Sequence, residues 1–361
     1  KTASVSPDGS FIVSGGAWGL LHWPVHITPD RELQVGPPTP IGPRQGMRTS
    51  RIRLGRDGRT LAAVMDEERG LVLVIDLLGT RKPVELAGHP NIERLDVSPN
   101  GAWIATASGQ ENGNDVKIWD ATTGRLITEL PVDGGTEARF SPDGLYFLSG
   151  TGNDYRLWTV GLWSPTKSIP REQAGDSAGV AAFGDDGRIL AVARTRGIVQ
   201  LIETHTGQEI ATLEPSAPQQ ITGLAFDGEG GLLVAARGTD ALRRWDLKAV
   251  RKGLAALNLD DPRLTMGLDH STVANALTKI TVQSAEWLAW FEKGDELARA
   301  DRWSEAAASY RKAINAGAPG IEPWSRIAMT FVALGDLERY KEVCEHMTAK
   351  FGGMNPAPKM A

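Results

Sequence analysis

A short turn that returns at fixed spacing, a four-strand pattern around each copy, and a switch to helical periodicity near residue 286 predict the fold class. They point to an all-β ring of repeated four-stranded sheets followed by a small all-α domain. The turn reads "SPDG" at 6–9, "GRDG" at 55–58, "SPNG" at 98–101, "SPDG" at 141–144, "GDDG" at 184–187 and "DGEG" at 227–230. After a first step of 49 residues, four successive steps of 43 follow. Equal steps of that length mark one supersecondary unit used again and again.

Each turn has the same neighbours. An alternating segment precedes it ("RIRL", "RLDV", "EARF", "VAAF", "GLAF"), and a strand of small and apolar residues follows ("FIVSGG", "TLAAVM", "WIATAS", "YFLSG", "ILAVAR", "LLVAAR"). A third strand ends in Trp-Asp or a substitute ("VLVID", "VKIWD", "YRLWT", "VQLIE", "LRRWD"). A fourth short strand comes after "TTG" or "HTG", as in "RLITEL" and "QEIATL". Period-two alternation with β-branched residues and Gly, Asn or Asp punctuation is the strand signature. In the turn itself Pro presets φ, while Asp, Asn and Gly accept the remaining dihedrals. The Pro-rich "VGPPTPIGPR" at 35–44 accounts for the longer first step and reads as a stiff surface loop, with polyproline-like ligand character as the other reading.

Four strands per 43 residues with a Trp-Asp ending resemble the WD40 family over residues 1–247. That resemblance implies a β-propeller with six visible repeats and room for a seventh blade completed from elsewhere. It also implies a hydrogen-bonded network around Trp119, with His89 of the Gly88–His89 pair and Asp115 or Asn114. Trp158 and Trp245 take the same place in their repeats, and the remaining blades are expected to rest on apolar packing. After Asp246 the sequence turns helical ("LKAVRKGLAALNLD") where the sixth repeat needs an outer strand. Residues upstream of Lys1, or the β-like "ALTKITVQ" at 276–283, are the candidates to close it. Residues 248–285 are expected as a helical linker containing that strand.

From Glu286 the period is helical. Trp290, Gly294, Ala306, Tyr310 and Ala313 stand at the offsets of a tetratricopeptide repeat (TPR), and Trp324 follows Trp290 by 34 residues. The resemblance implies two TPR-like units over 286–352, the second degenerate because Tyr340 replaces a small residue, and then a flexible tail at 353–361. Two units are too few to stand alone, so helices near 248–258 and 263–276, or the propeller wall, are expected to cover them. The run "RRWDLKAVRKGLAALNLD" followed by "ALGDLERYKEVCEHMTAKFG" is similar to the C-terminal region of bacterial serine/threonine kinase–WD40–TPR signalling proteins. The first residue is Lys1, inside an apparent strand, so the chain reads as part of a longer polypeptide.

Composition narrows the function. The 361 residues carry a net charge of -5, so no overall basic field favours nucleic acid. Cys344 is the single cysteine, which excludes an internal disulfide and a CxxC pair. No signal peptide or membrane-length apolar run is present, which points to the cytoplasm and to no membrane contact from this chain. Phosphate-cradling, H-E-x-x-H, EF-hand and kinase motifs are missing, and no cofactor or metal is expected. "GDSAG" at 175–179 fits G-x-S-x-G, but its flanks are loop and strand instead of the strand and helix a nucleophile elbow needs. His22 and His26 have ligand-like spacing but flank Pro24 in strand and loop.

One cluster stands out. Arg48, Arg51, Arg53, Arg56 and Arg59 fall within twelve residues, and Arg51 and Arg53 share one side of an inner strand. Guanidinium groups pair bidentately with carboxylate and phosphate, so the cluster is a candidate binding patch, set against local pairing with Asp57 and the acids at 66–68. The reading is a non-catalytic protein-interaction scaffold that docks proteins or peptides through propeller faces and a TPR groove. An enzyme at the propeller channel and a purely structural assembly subunit are the alternatives.

Overall fold

The computed structural model describes residues 2–43, 47–66, 70–86, 88–108, 115–132, 137–172, 179–195, 197–215, 219–227, 230–237, 242–257 and 279–351, with backbone only for Asp66 and Asp115. Among these residues the fold is a six-bladed β-propeller followed by five helices. Blade one holds β1 (Thr2–Val5), β2 (Phe11–Gly16), β3 (Gly19–Ile27) and β4 (Glu32–Val35), with the short β5 (Thr39–Pro40) on β3. Blade two holds β6 (Arg51–Leu54), β7 (Thr60–Asp66), β8 (Leu71–Asp76) and β9 (Val84–Leu86). Blade three holds β10 (Ile92–Val97), β11 (Trp103–Ser108), β12 (Asp115–Asp120) and β13 (Leu126–Pro131). Blade four holds β14 (Glu137–Phe140), β15 (Tyr146–Gly150), β16 (Asp154–Thr159) and β17 (Pro165–Pro170). Blade five holds β18 (Ala181–Phe183), β19 (Ile189–Ala193), β20 (Val199–Glu203) and β21 (Glu209–Leu213). Blade six has β22 (Ile221–Phe226), β23 (Gly231–Ala236) and β24 (Leu242–Asp246), and α1 (Leu247–Ala256) begins directly after it. Then come β25 (Lys279–Val282), α2 (Glu286–Arg299), α3 (Trp303–Asn315), α4 (Glu322–Ala333) and α5 (Leu337–Phe351).

The recurring turn joins the two inner strands of every blade, and its residue types explain why. Ser141 Oγ donates to Asp143 and accepts from the Tyr146 amide at 2.9 Å, so the hydroxyl ties both ends of the turn. Ser98 with Asn100 and Ser6 with Asp8 repeat the device. The closing residue sits in the left-handed region, from φ 64° at Gly58 to 88° at Gly230, which is why glycine recurs there.

Strand gives way to helix at Leu247, but the compact units divide elsewhere: Lys1–Ile52 with Asn275–Ala361, and Arg53–Ala274. In the second unit each apolar cluster lies between neighbouring blades. Ala62, Val64 and Leu86 meet Leu95, Ile104 and Trp119; further round, Leu148, Tyr155 and Leu157 meet Ala181, Leu190 and Val192. A blade alone cannot hide its faces, and stacking hides both.

Among the described residues blade six has three strands, because the residues directly after β24 do not make the turn its sisters make. In blades three, four and five the residue four past the end of the third strand has positive φ: Gly124, Trp163 and Gly207, at 72°, 55° and 71°. Its amide closes the turn onto the carbonyl of Asp120, Thr159 or Glu203. The matching residue in blade six is Val250, a β-branched residue that resists that conformation. Asp246 instead accepts from the Ala249 amide at 2.9 Å and caps α1.

In the first unit the strand expected at 276–283 is present as β25, but it closes a different blade. It runs parallel to β4, from Lys279 opposite Glu32 to Val282 opposite Val35. Glu32 receives Lys279 at 3.1 Å and the Thr281 hydroxyl, and these contacts hold its carboxyl below the usual range. Among the described residues no seventh blade and no fourth strand of blade six occur. The Pro-rich loop is partly strand, since Thr39–Pro40 pairs with His22 and Leu21.

Within the first unit, α2 to α5 pack one against the next, and α2 lies against blade one. Trp18, in the β2–β3 turn, stands edge-on to Trp287 at 5.0 Å and Phe291 at 4.6 Å. The first blade therefore covers α2, as a short helical pair requires. The helix expected near 263–276, and the tail, lie outside the described residues.

Candidate functional site: a charged inner wall

Within the 43-residue repeat, the residues two and four places before the turn lie on one side of the inner strand. In blades two to four they are Arg51 and Arg53, then Arg94 and Asp96, then Glu137 and Arg139. In blades five and six the same places hold Val180, Ala182, Gly223 and Ala225. Three of these five blades are thus charged there, and two are small and apolar.

The charged part is layered. Arg94 Nε donates to Glu137 Oε2 at 3.1 Å, and Arg139 Nε donates to the other oxygen. The Phe140 amide donates to Asp96 Oδ2 at 2.7 Å, and Arg53 Nε lies 3.9 Å from Asp96 Oδ1. The Glu137 carboxylate is only 7% exposed, whereas the guanidinium side chains of Arg53, Arg94 and Arg139 are 45%, 39% and 38% exposed. Anions lie beneath and cations face outward. Burial pushes the Asp96 carboxyl up, against the pull of Phe140 N–H and Arg53. For Arg139 burial opposes the charge, but Glu137 beside it wins and raises its pKa. Three cations over two carboxylates leave at least one positive charge to attract an acidic group.

The five arginines singled out in the sequence fall in two units, and Arg53, Arg56 and Arg59 take different partners. Arg53 belongs to the wall. Arg56 reaches from the β6–β7 turn to Asp185 in the β18–β19 turn at 3.5 Å, an exposed pair of little energetic weight. Arg59 is committed to structure: it holds Asp76 through Nε at 2.6 Å and Nη2 at 2.9 Å. Asp76 also accepts from the Thr80 and Arg81 amides, and Arg59 above all holds its carboxyl far below the usual range. The acid that Arg59 holds by hydrogen bonds is thus Asp76, with Asp57 adding electrostatic support, and the side chains of the acids at 66–68 lie outside the described residues. Arg48 is exposed and Arg51 half-buried in the other unit. Arg94, Asp96, Glu137 and Arg139 were missed by local clustering; lining up the repeat on its turn is the signal that finds them.

Other sequence motifs resolve into structure. Ser177 of "GDSAG" lies outside the described residues, but Gly179 sits against Tyr155, where a Cβ would come 2.8 Å from the ring Cζ. His22 packs on Phe11 at 4.8 Å, and burial lowers its pKa. Among the described residues no group of three or more His, Cys, Asp or Glu could hold a metal ion, and no helix is long and apolar enough to cross a membrane.

In blade three, Thr106 Oγ1 accepts from Trp119 Nε1 at 2.9 Å and shares a 2.6 Å hydrogen bond with His89 Nδ1, all buried. Residues 81–120 match the WD domain, G-beta repeat family. The tryptophan-to-hydroxyl bond recurs in two blades where mainly apolar packing is expected: Trp158 Nε1 donates to Ser149 Oγ and Trp23 Nε1 to Ser14 Oγ, both at 2.9 Å. Trp245 has Val234 at the place of Ser149 and packs in an apolar cluster. The Asp115 side chain and Asn114 lie outside the described residues.

The chain is 27% identical to eukaryotic translation initiation factor 3 subunit I of Lodderomyces elongisporus over 188 residues, 46% of this chain and 51% of that protein. It is 28% identical to Centriole proteome protein 16 of Chlamydomonas reinhardtii over 211 residues, 45% of this chain and 10% of that protein. The chain thus spans about half of one relative and a tenth of the other, and both are eukaryotic.

The helical pair places its marked residues at the α2–α3 contact. Gly294 leaves room for Tyr310, whose ring would lie 2.5 Å from an added Cβ, and Ala306 and Ala313 are fully buried. Tyr310 Oη donates to Asp295 at 2.7 Å. Trp290 lies under Lys312 at 4.2 Å, and Trp324 stacks on His346.

Proposed function

We propose that this chain is a non-catalytic protein-interaction module whose charged inner wall docks an acidic peptide segment of a partner. The observation that carries this is the layering of half-exposed Arg53, Arg94 and Arg139 over buried Glu137 and the less exposed Asp96. Such guanidiniums are held in place by the acids below and keep N–H donors for an incoming carboxylate. A WD40 repeat in the chain, and a relative named as a subunit of a larger factor, support a scaffold role. The test is an anisotropy titration with a labelled octaglutamate peptide. Arg53→Gln with Arg94→Gln weakens binding about tenfold, and added salt weakens it further. Binding unmoved by both changes refutes the docking role. Arg48 and Arg51 go into a separate variant, read the same way.

The module is read as the regulatory or sensory part of a larger bacterial signalling protein, with a kinase domain elsewhere in it. That part rests on the sequence transition after Asp246 and the TPR-like pair. The TPR-like groove is a second docking surface, supported by Lys293 and Lys312 over Trp290. Co-purification of an active kinase domain on the same polypeptide tests the context. A full-length chain without one removes it.

A further inference from the structure

Among the described residues the three strands of blade six leave a gap of definite shape. In four other blades the third strand carries an apolar residue paired, 14 residues on, with an apolar residue of the fourth: Val72 with Leu86, Val116 with Leu130, Tyr155 with Ile169 and Val199 with Leu213. The third-strand member is at most 2% exposed in all four. Leu242 holds that place in β24 and is 67% exposed. Fourteen residues on lies Ala256, which α1 has carried off as helix. A cavity of about 230 Å³ opens beside Leu242, lined by Val199, Leu213, Ile221, Val234 and Trp245. It is where the missing aliphatic side chain would lie.

The neighbouring position gives the chemistry of the occupant. The exposed Arg243 corresponds to Lys117, which faces Glu129 across the β12–β13 pair with its Nζ 3.3 Å from the carboxylate. In blade two, Glu85 fills the same fourth-strand place. Two sister strands therefore put Glu-Leu, as Glu85–Leu86 and Glu129–Leu130, where blade six has none among the described residues.

We propose that the outer edge of β24 takes up an extended segment of a partner protein as an antiparallel fourth strand, with an acidic residue opposite Arg243 and a large aliphatic residue opposite Leu242. Backbone hydrogen bonds along the open edge supply the pairing, and the cavity and Arg243 supply the selectivity. This deepens the interaction-module reading at a surface separate from the charged wall.

The test uses the whole chain and a labelled octapeptide of sequence RLITELPV, the chain's own Arg125–Val132. Saturable binding is expected. Leu242→Asp in the chain, or Leu130→Asp in the peptide, weakens it about tenfold. Arg243→Glu weakens it too, and Glu129→Lys in the peptide restores it. Arg53→Gln leaves it unchanged, which separates this edge from the wall. Absence of saturation overturns the proposal, as does binding indifferent to Leu242→Asp. Outward β24 amides that exchange with solvent as slowly in the free chain as those of β12 also overturn it, because the edge would already be covered.

Discussion

Removing one hydroxyl, with Tyr155→Phe, tests how the blades are held together. The phenol is buried between blades four and five, where it accepts from the Val180 amide at 3.0 Å and reaches the carbonyls of Ala193 at 2.8 Å and Val180 at 3.0 Å. Val180 O keeps a second donor, the Ala193 amide at 2.9 Å. The Val180 amide is left facing a ring edge. A buried donor without a partner costs about 1–3 kcal/mol, and phenylalanine fills the same space, so no cavity is added. About 2 kcal/mol lowers the melting temperature by about 4–8 °C in a unit of this size. Calorimetry and urea unfolding of the two proteins measure it. Burial has also pushed the phenol up to about 12. Its stabilisation is complete below about pH 10, where the unfolded phenol titrates, and is lost as pH rises through about 12. The variant lacks that alkaline contribution. An unchanged melting temperature, or an equal alkaline slope in both proteins, refutes the seam argument.

Three further outcomes rest on the same geometry. Asp76→Ala strands the groups that a 2%-exposed carboxylate satisfies, and costs about 3–5 kcal/mol by urea unfolding. Because Arg59 and the backbone amides depress that carboxyl, its contribution is present above about pH 4 and drains as pH falls below it, which an acid titration of the parent chain checks against Asp76→Ala. Trp18→Ala removes the wedge between Trp287 and Phe291 and costs the first unit about 3 kcal/mol, read as earlier loss of helical circular dichroism. Gly294→Ala drives a methyl into the Tyr310 ring and costs about 1–3 kcal/mol in the same measurement.

The repeat made much of this legible beforehand. Turn residues are a local code, since Ser, Asp and Gly close the inner hairpin with their own atoms, so "SPDG" announces its structure without help from the rest of the chain. The WD40-like strands and the small residues at the α2–α3 contact were readable for the same reason. The arginine cluster misled because closeness in sequence does not fix partners. Arg59 turns to Asp76 in its own blade, Arg56 crosses to Asp185, and Arg53 meets Asp96 one blade on.

The sequence by itself therefore determined the unit: where strands begin, how each inner hairpin turns, and that Val250 denies blade six the turn its sisters make. The tertiary structure decided which units share what. It placed β25 on β4 instead of beside β24, set Trp18 between α2 side chains, and layered Glu137 and Asp96 beneath three guanidiniums. Local dihedral preference is encoded residue by residue. Partnership between strands and charges from distant blades exists only once the sheets have stacked.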